Sequence, residues 1–175
     1  TLGCEAPFIR PHDLSSDTAT TYDVALNAID AIDESFDILV ILQPTSPLRN
    51  TEDIDSCIEL SLFTGSCVSL VETEKSPYWM YQLPTNTSMT PLLKSEKAIL
   101  RRQDAPPVFL LNGAVYAVKC EWLKHNGSFI NDDTVPYVMP KDRSFDIDTH
   151  HDLELARYYS NNKLWKYDND KNTRS

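Results

Sequence analysis

Glycine is scarce. The 175 residues contain four, where about 7% would be ordinary. The glycine-rich turn that wraps phosphates after the first strand of many α/β domains is absent from these residues. Positive charge is also short. Sixteen Lys and Arg face 26 Asp and Glu, a net charge of −10. Such a surface repels phosphate backbones, so nucleic acid is not an expected partner, although a few local arginines could still hold a small anion. The longest apolar run, residues 38–42, falls far short of the ~20 residues that span a bilayer, so no membrane partner is expected. Cys4, Cys57, Cys67 and Cys120 form no C-x-x-C pair and have no histidines at zinc-site spacing. With no secretory signal pattern, reduced thiols and a cytoplasmic location are expected.

What remains is ordinary for a folded domain. Hydrophobic residues make up 41% and charged residues 24%, which excludes global disorder. The length suits one core.

Residues 18–34 carry Val24, Ala25, Ala28, Ile29 and Ile32 on one face of a 3.6-residue period, which predicts a helix with Thr20 or Thr21 as cap. Residues 37–42 form an unalternating β-rich run, as in a strand buried on both faces. Pro44 and Pro47 stop it. A second helix is predicted over 51–63, capped by Thr51, started by Glu52, Asp53 and Asp55 and ended by Gly65. Residues 67–72 read as another strand. The alternation of helix and strand predicts an α/β fold with a largely parallel sheet.

Residues 73–107 are polar and broken by proline, with Trp79 and Tyr81 read as partly buried packing. The segments 108–111 and 114–118 are strand-like. Between them Asn112-Gly113 is either a two-residue hairpin turn or a buried amide lining a pocket, with Gly113 permitting close approach. Residues 119–125 suggest a short helix. Thr149 caps a final helix in a box with Asp152.

Three groups could carry chemistry. The loop Gln43-Pro44-Thr45-Ser46-Pro47-Leu48-Arg49 follows a strand end, where open α/β sheets bind ligands. It is either a rigid connector or a site for a polyhydroxylated anion. Asp146 and Asp148 flank Ile147, so in extended backbone both carboxylates share a face. They are either a solvated edge or a seat for a hard divalent ion. Arg101-Arg102 is the one arginine pair, either solvated or a clamp for a carboxylate or phosphate. His150 and His151 are read as surface residues.

In order along the chain stand Ile9-Arg10-Pro11-His12-Asp13-Leu14-Ser15-Ser16-Asp17-Thr18-Ala19, then Leu42-Gln43-Pro44-Thr45-Ser46-Pro47-Leu48-Arg49. Asn112-Gly113-Ala114-Val115-Tyr116 follows, and last Phe145-Asp146-Ile147-Asp148-Thr149 with Asp152-Leu153-Glu154-Leu155-Ala156. Together they resemble the acylneuraminate cytidylyltransferases, the CMP-sialic acid synthetases. The resemblance implies a three-layer α/β/α, Rossmann-like nucleotidyltransferase domain over 1–160, with a small dimerisation insert near 119–140 and a polar tail at 161–175. It implies that CTP and a nine-carbon keto-sugar acid become a CMP-sugar and pyrophosphate with Mg²⁺, the anomeric hydroxyl attacking the α-phosphorus. Arg10, Ala19 and Thr21 match nucleotide-binding positions. Gln43, Thr45, Ser46, Arg102 and Asn112 match sugar-binding positions. Asp146 and Asp148 match the catalytic metal ligands, and Phe129 and Ile130 match apolar contacts across a homodimer.

Two departures concern the sugar. Trp79 stands where some sialic-acid members have Lys, and Leu110 where the family has Arg. A third concerns the phosphates. The family's first strand and its Ala-Arg-x-x-Ser-Lys-Gly loop would precede Thr1, so the 175 residues alone are expected to be inactive. The same resemblance leaves room for a sibling enzyme acting on legionaminic, pseudaminic or another keto-sugar acid. It also leaves room for a non-catalytic fragment or binding module that keeps the sugar site and dimer surface.

Overall fold

Each long helix begins where a polar side chain can satisfy its first backbone N–H groups. The structure is a computed structural model that describes residues 3–16, 18–94, 99 and 101–162. In α1 (Thr21–Ala31), Thr20 is the cap and forms a reciprocal box with Asp23. In α2 (Thr51–Thr64) the cap is Asn50 and not Thr51, since Asn50 Oδ1 accepts from Asp53 N at 2.9 Å while Asp53 Oδ2 accepts from Asn50 N at 2.9 Å. Thr51 is the first helical residue. Gly65 ends α2 at φ +95°, and a Cβ there would run into the Trp122 ring.

The strands are β1 (Ile38–Ile41), β2 (Ser66–Thr73), β3 (Tyr81–Thr85), β4 (Ser88–Pro91), β5 (Val108–Lys119) and β6 (Val135–Met139). α3 (Cys120–Asn126) follows β5, and α4 (His150–Asn162) closes the described chain. The main sheet has the order β1-β5-β2-β6. β5 runs antiparallel to both β1 and β2, and β6 runs parallel to β2. Three strands therefore share one direction, with β5 reversed between them. β3 and β4 form a separate hairpin.

Alternation along the strands sends side chains to two cores. Val40, Val115, Ala117 and Cys67 pack with Cys57, Ile54 and Ile58 of α2. Leu39, Ile41, Tyr116 and Val118 pack with Ala25 and Ile29 of α1 and with Trp122 and Leu123 of α3. Helices thus cover both sheet faces, the expected three-layer arrangement. In the first core Cys57 and Cys67 lie against each other, fully buried, and that contact together with burial pushes the Cys57 thiol well up.

One of two alternatives is excluded. Asn112-Gly113 is no hairpin turn: it lies inside the single strand β5, where the register with β2 jumps between Val68 and Leu70. The bulge, not a reversal, uses the glycine. Residues 145–148 pair with no strand, and their burial alternates from residue to residue. β6 was not foreseen. Pro136 interrupts its pattern, which an edge strand tolerates because one side needs no ladder bond. In the range 119–140 the chain forms α3 and β6, and β6 pairs with β2. Of the tail, 161 and 162 continue α4, and 163–175 lie outside the described residues.

Candidate active site

β1 ends beneath the loop 42–50, and the loop is fastened from within. Arg49 is only partly exposed and its Nη1 donates to the carbonyl oxygens of Gln43 at 2.8 Å and Ser46 at 2.5 Å. Burial lowers the basicity of its guanidinium. Ser46 is fully buried and its hydroxyl donates to Asn112 O at 2.9 Å. This ties the loop to the β5 bulge. Gly113 has φ +69°, and a Cβ on it would overlap Gln43 Oε1 and approach Ser46 Oγ at 3.3 Å. The Gln43 side chain therefore rests on bare backbone.

Asn112 is 4% exposed. Its Oδ1 accepts from Ser69 Oγ at 2.6 Å and from Ala114 N at 3.2 Å, and its Nδ2 donates to Ser144 Oγ at 3.0 Å. Both ends of the amide are engaged inside the protein. Ser46 and Asn112 thus brace the loop, whereas Gln43 and Thr45 are partly exposed.

The acidic segment sits against the same loop. Ile147 N donates to Thr45 O at 2.9 Å. Ile147 is partly buried while Asp146 and Asp148 are exposed, the two-residue alternation expected from the sequence. Neither carboxylate forms an ion pair among the described residues. Asp146 lies near Tyr116, whose phenol is raised by burial and further by that carboxylate.

Beside the loop opens a cavity of about 470 Å³ between α1 and β1, within the range of small-molecule sites. Arg10, Ala19, Thr21 and Gln43 all line it. The three residues matched to the nucleotide are therefore together, and Gln43 joins them. Thr21 also borders an open depression of about 550 Å³ shared with Tyr116, Phe129 and Ile130. Phe129 is 9% exposed and packs edge-on to Tyr116, ring centroids 6.0 Å apart. Its ring is occupied within its own chain, while Ile130 is exposed.

Arg102 lies elsewhere, in a cleft with Trp79 and Glu74. Its Nη2 is 3.1 Å from Glu74 Oε1, and Lys141 Nζ reaches the same oxygen at 2.9 Å. Lys141 first, then Arg102, hold the Glu74 carboxyl below its usual range. Through Lys141 this cluster touches the segment that leads to Asp146.

No family model matches the chain. Individual proteins do. A CMP-N,N'-diacetyllegionaminic acid synthase of Legionella pneumophila is 30% identical over 160 residues, which cover 88% of this chain and 68% of that protein. The chain belongs to the acylneuraminate cytidylyltransferase family. An N-acylneuraminate cytidylyltransferase of Streptococcus agalactiae is 32% identical over 147 residues, 83% of this chain but 35% of that longer protein. A pseudaminic acid cytidylyltransferase of Campylobacter jejuni is 29% identical over 160 residues, 89% of this chain and 68% of that protein.

For a cytidylyltransferase-family chain, the sequence reading missed one prominent feature. Asp53 is fully buried and Arg143 is 7% exposed. Arg143 Nε donates to Asp53 Oδ2 at 2.9 Å and Nη2 to Oδ1 at 2.7 Å. The Asn-x-x-Asp spacing at residues 50–53 could have revealed the cap. No local signal announces a partner 90 residues away.

Proposed function

We propose that the protein transfers CMP from CTP to a nine-carbon keto-sugar acid, releasing pyrophosphate. The observation that carries this reading is the bond from Ile147 N to Thr45 O, which sets the acidic pair beside the strand-end loop where α/β sheets present ligands. In this reading Arg10, Ala19 and Thr21 receive the nucleotide in the cavity they line. Gln43 and Thr45 meet sugar hydroxyls or an acylamino group, with Ser46 and Asn112 holding their loop. Arg102 takes the sugar carboxylate, and its hold on Glu74 supports that chemistry. Transfer of this kind depends on alignment and charge neutralisation more than on covalent help.

Asp146 and Asp148 fit Mg²⁺. They are two exposed oxygen donors on neighbouring positions without a cationic partner among the described residues, and Mg²⁺ takes one or two carboxylates and completes its shell with water and phosphate. When bound, the ion would neutralise phosphate charge. A homodimer and a cytoplasmic location belong to the same proposal. What supports the dimer is a set of exposed apolar residues at Leu83, Met89, Phe109, Leu110 and Leu111.

The second reading is a binding module without turnover that keeps the sugar site and dimer surface. One experiment separates the two. Pyrophosphate release is followed with CTP, Mg²⁺ and acylneuraminic, legionaminic or pseudaminic acid, using the 175-residue chain alone and fused behind an Ala-Arg-x-x-Ser-Lys-Gly segment. Turnover is expected only in the fusion, and Arg102→Ala should raise the KM of the acid roughly tenfold with little change for CTP. Calorimetric binding of acid without turnover in either form would favour the module. Neither binding nor turnover would overturn both.

A further inference from the structure

Asp146 and Asp148 stand on irregular backbone, which holds a side chain only as well as its tethers allow. Three tethers hold residues 143–147. Ile147 N donates to Thr45 O at 2.9 Å. Ser144 Oγ accepts from Asn112 Nδ2 at 3.0 Å and donates to Pro140 O at 2.8 Å. The third is the Arg143–Asp53 pair. The Asp53 carboxylate accepts four bonds: two from Arg143, one from Tyr137 Oη at 3.2 Å and one from Asn50 N at 2.9 Å. All its neighbours are thereby fixed relative to the start of α2.

A buried ion pair is weak evidence for stability, because apolar groups of similar size often serve as well. What a bidentate arginine fork supplies is direction: two parallel bonds allow one orientation. Here the fork sits three residues before Asp146. We infer that Asp53 and Arg143 are positioning residues for the carboxylates of Asp146 and Asp148, anchoring that segment to the first turn of α2. The inference rests on the reading that those two carboxylates hold a divalent cation. Neither Asp53 nor Arg143 touches substrate in this role; they act through the backbone they anchor.

The test uses Mn²⁺ alone as probe, with its affinity for the full chain read from water-proton relaxation. The key variant is the double substitution Asp53→Asn with Arg143→Met. It removes both charges together, leaves no unpaired buried ion, and retains an acceptor for Asn50 N. It should melt close to the original protein yet bind Mn²⁺ roughly tenfold more weakly, as loss of outer-shell support does at metal sites. Arg143→Lys, which keeps the charge and loses the fork, should fall between. Undiminished Mn²⁺ affinity in the double variant overturns the positioning role. If the double variant does not fold, Arg143→Lys decides in the same way. Asp148→Asn is the separate control: if it leaves Mn²⁺ binding intact, the cation reading itself fails and takes this inference with it.

Discussion

Gly113 is the residue on which the loop geometry turns. Its φ of +69° lies in the left-handed region, and its missing side chain leaves room for Gln43 Oε1. Both constraints act against any other residue. Gly113→Ala should lower stability by roughly 1–3 kcal/mol from backbone strain and displace Gln43 as well. Thermal denaturation checks the first effect, and weakened sugar-acid binding by calorimetry checks the second. An unchanged melting temperature with unchanged binding would contradict this account. The neighbouring Asn112 illustrates why a dipeptide was not decisive. Asn-Gly suits a hairpin turn because both residues accept positive φ, but one positive φ also suits a bulge. Which is formed depends on β2, whose Ser69 hydroxyl holds Val115 N at 2.8 Å and Asn112 Oδ1 at 2.6 Å, and no local pattern reports that partner.

At the scale of elements, helices were the most legible. Their signals are local: Thr20 and Asp23 begin α1, Thr149 and Asp152 begin α4, and Gly65 ends α2. β1 and β2 were readable as apolar runs. β6 was not, since Pro136 masks it and its reason for being a strand is the neighbouring β2. The same division applies to the site. Composition and spacing left the loop 43–49 and the two aspartates open between a solvated and a ligand-binding role, and the family resemblance singled them out, whereas their contact through Ile147 and Thr45, and the Asp53–Arg143 pair, join residues far apart in sequence. The α4 cap also has a pH consequence. Asp152 accepts from Thr149 Oγ1 at 2.7 Å and from Thr149 N at 2.8 Å, which lowers its pKa, the hydroxyl contributing most. A carboxyl lowered on folding contributes stability that is complete above its unfolded pKa and is lost as pH falls through the lower folded value. The Asp152 carboxyl resonance should therefore titrate below an ordinary aspartate, and Asp152→Asn should flatten the acid slope of stability. An ordinary titration would show that the cap is not formed in solution.

The whole molecule carries a net charge of −10 while exposing Leu83 at 73%, Met89 at 59% and Leu110 at 51%. Repulsion and apolar attraction oppose each other, so association should strengthen as salt screens the charge. Sedimentation is expected to show a dimer that Leu83→Glu with Leu110→Glu converts to monomer. Assembly unaffected by those changes would place the interface elsewhere. The strand order has a consequence for synthesis. Every pairing in the main sheet involves β5 or β6, and both are made after residue 107. Among the described strands, β1 and β2 are both made before any strand that pairs with them. Such late, non-local pairing is slow and leaves apolar edges open meanwhile. Within the described sheet, then, the emergence of one strand, β5, gives β1 and β2 a partner at the same moment and closes both of its own flanks at once.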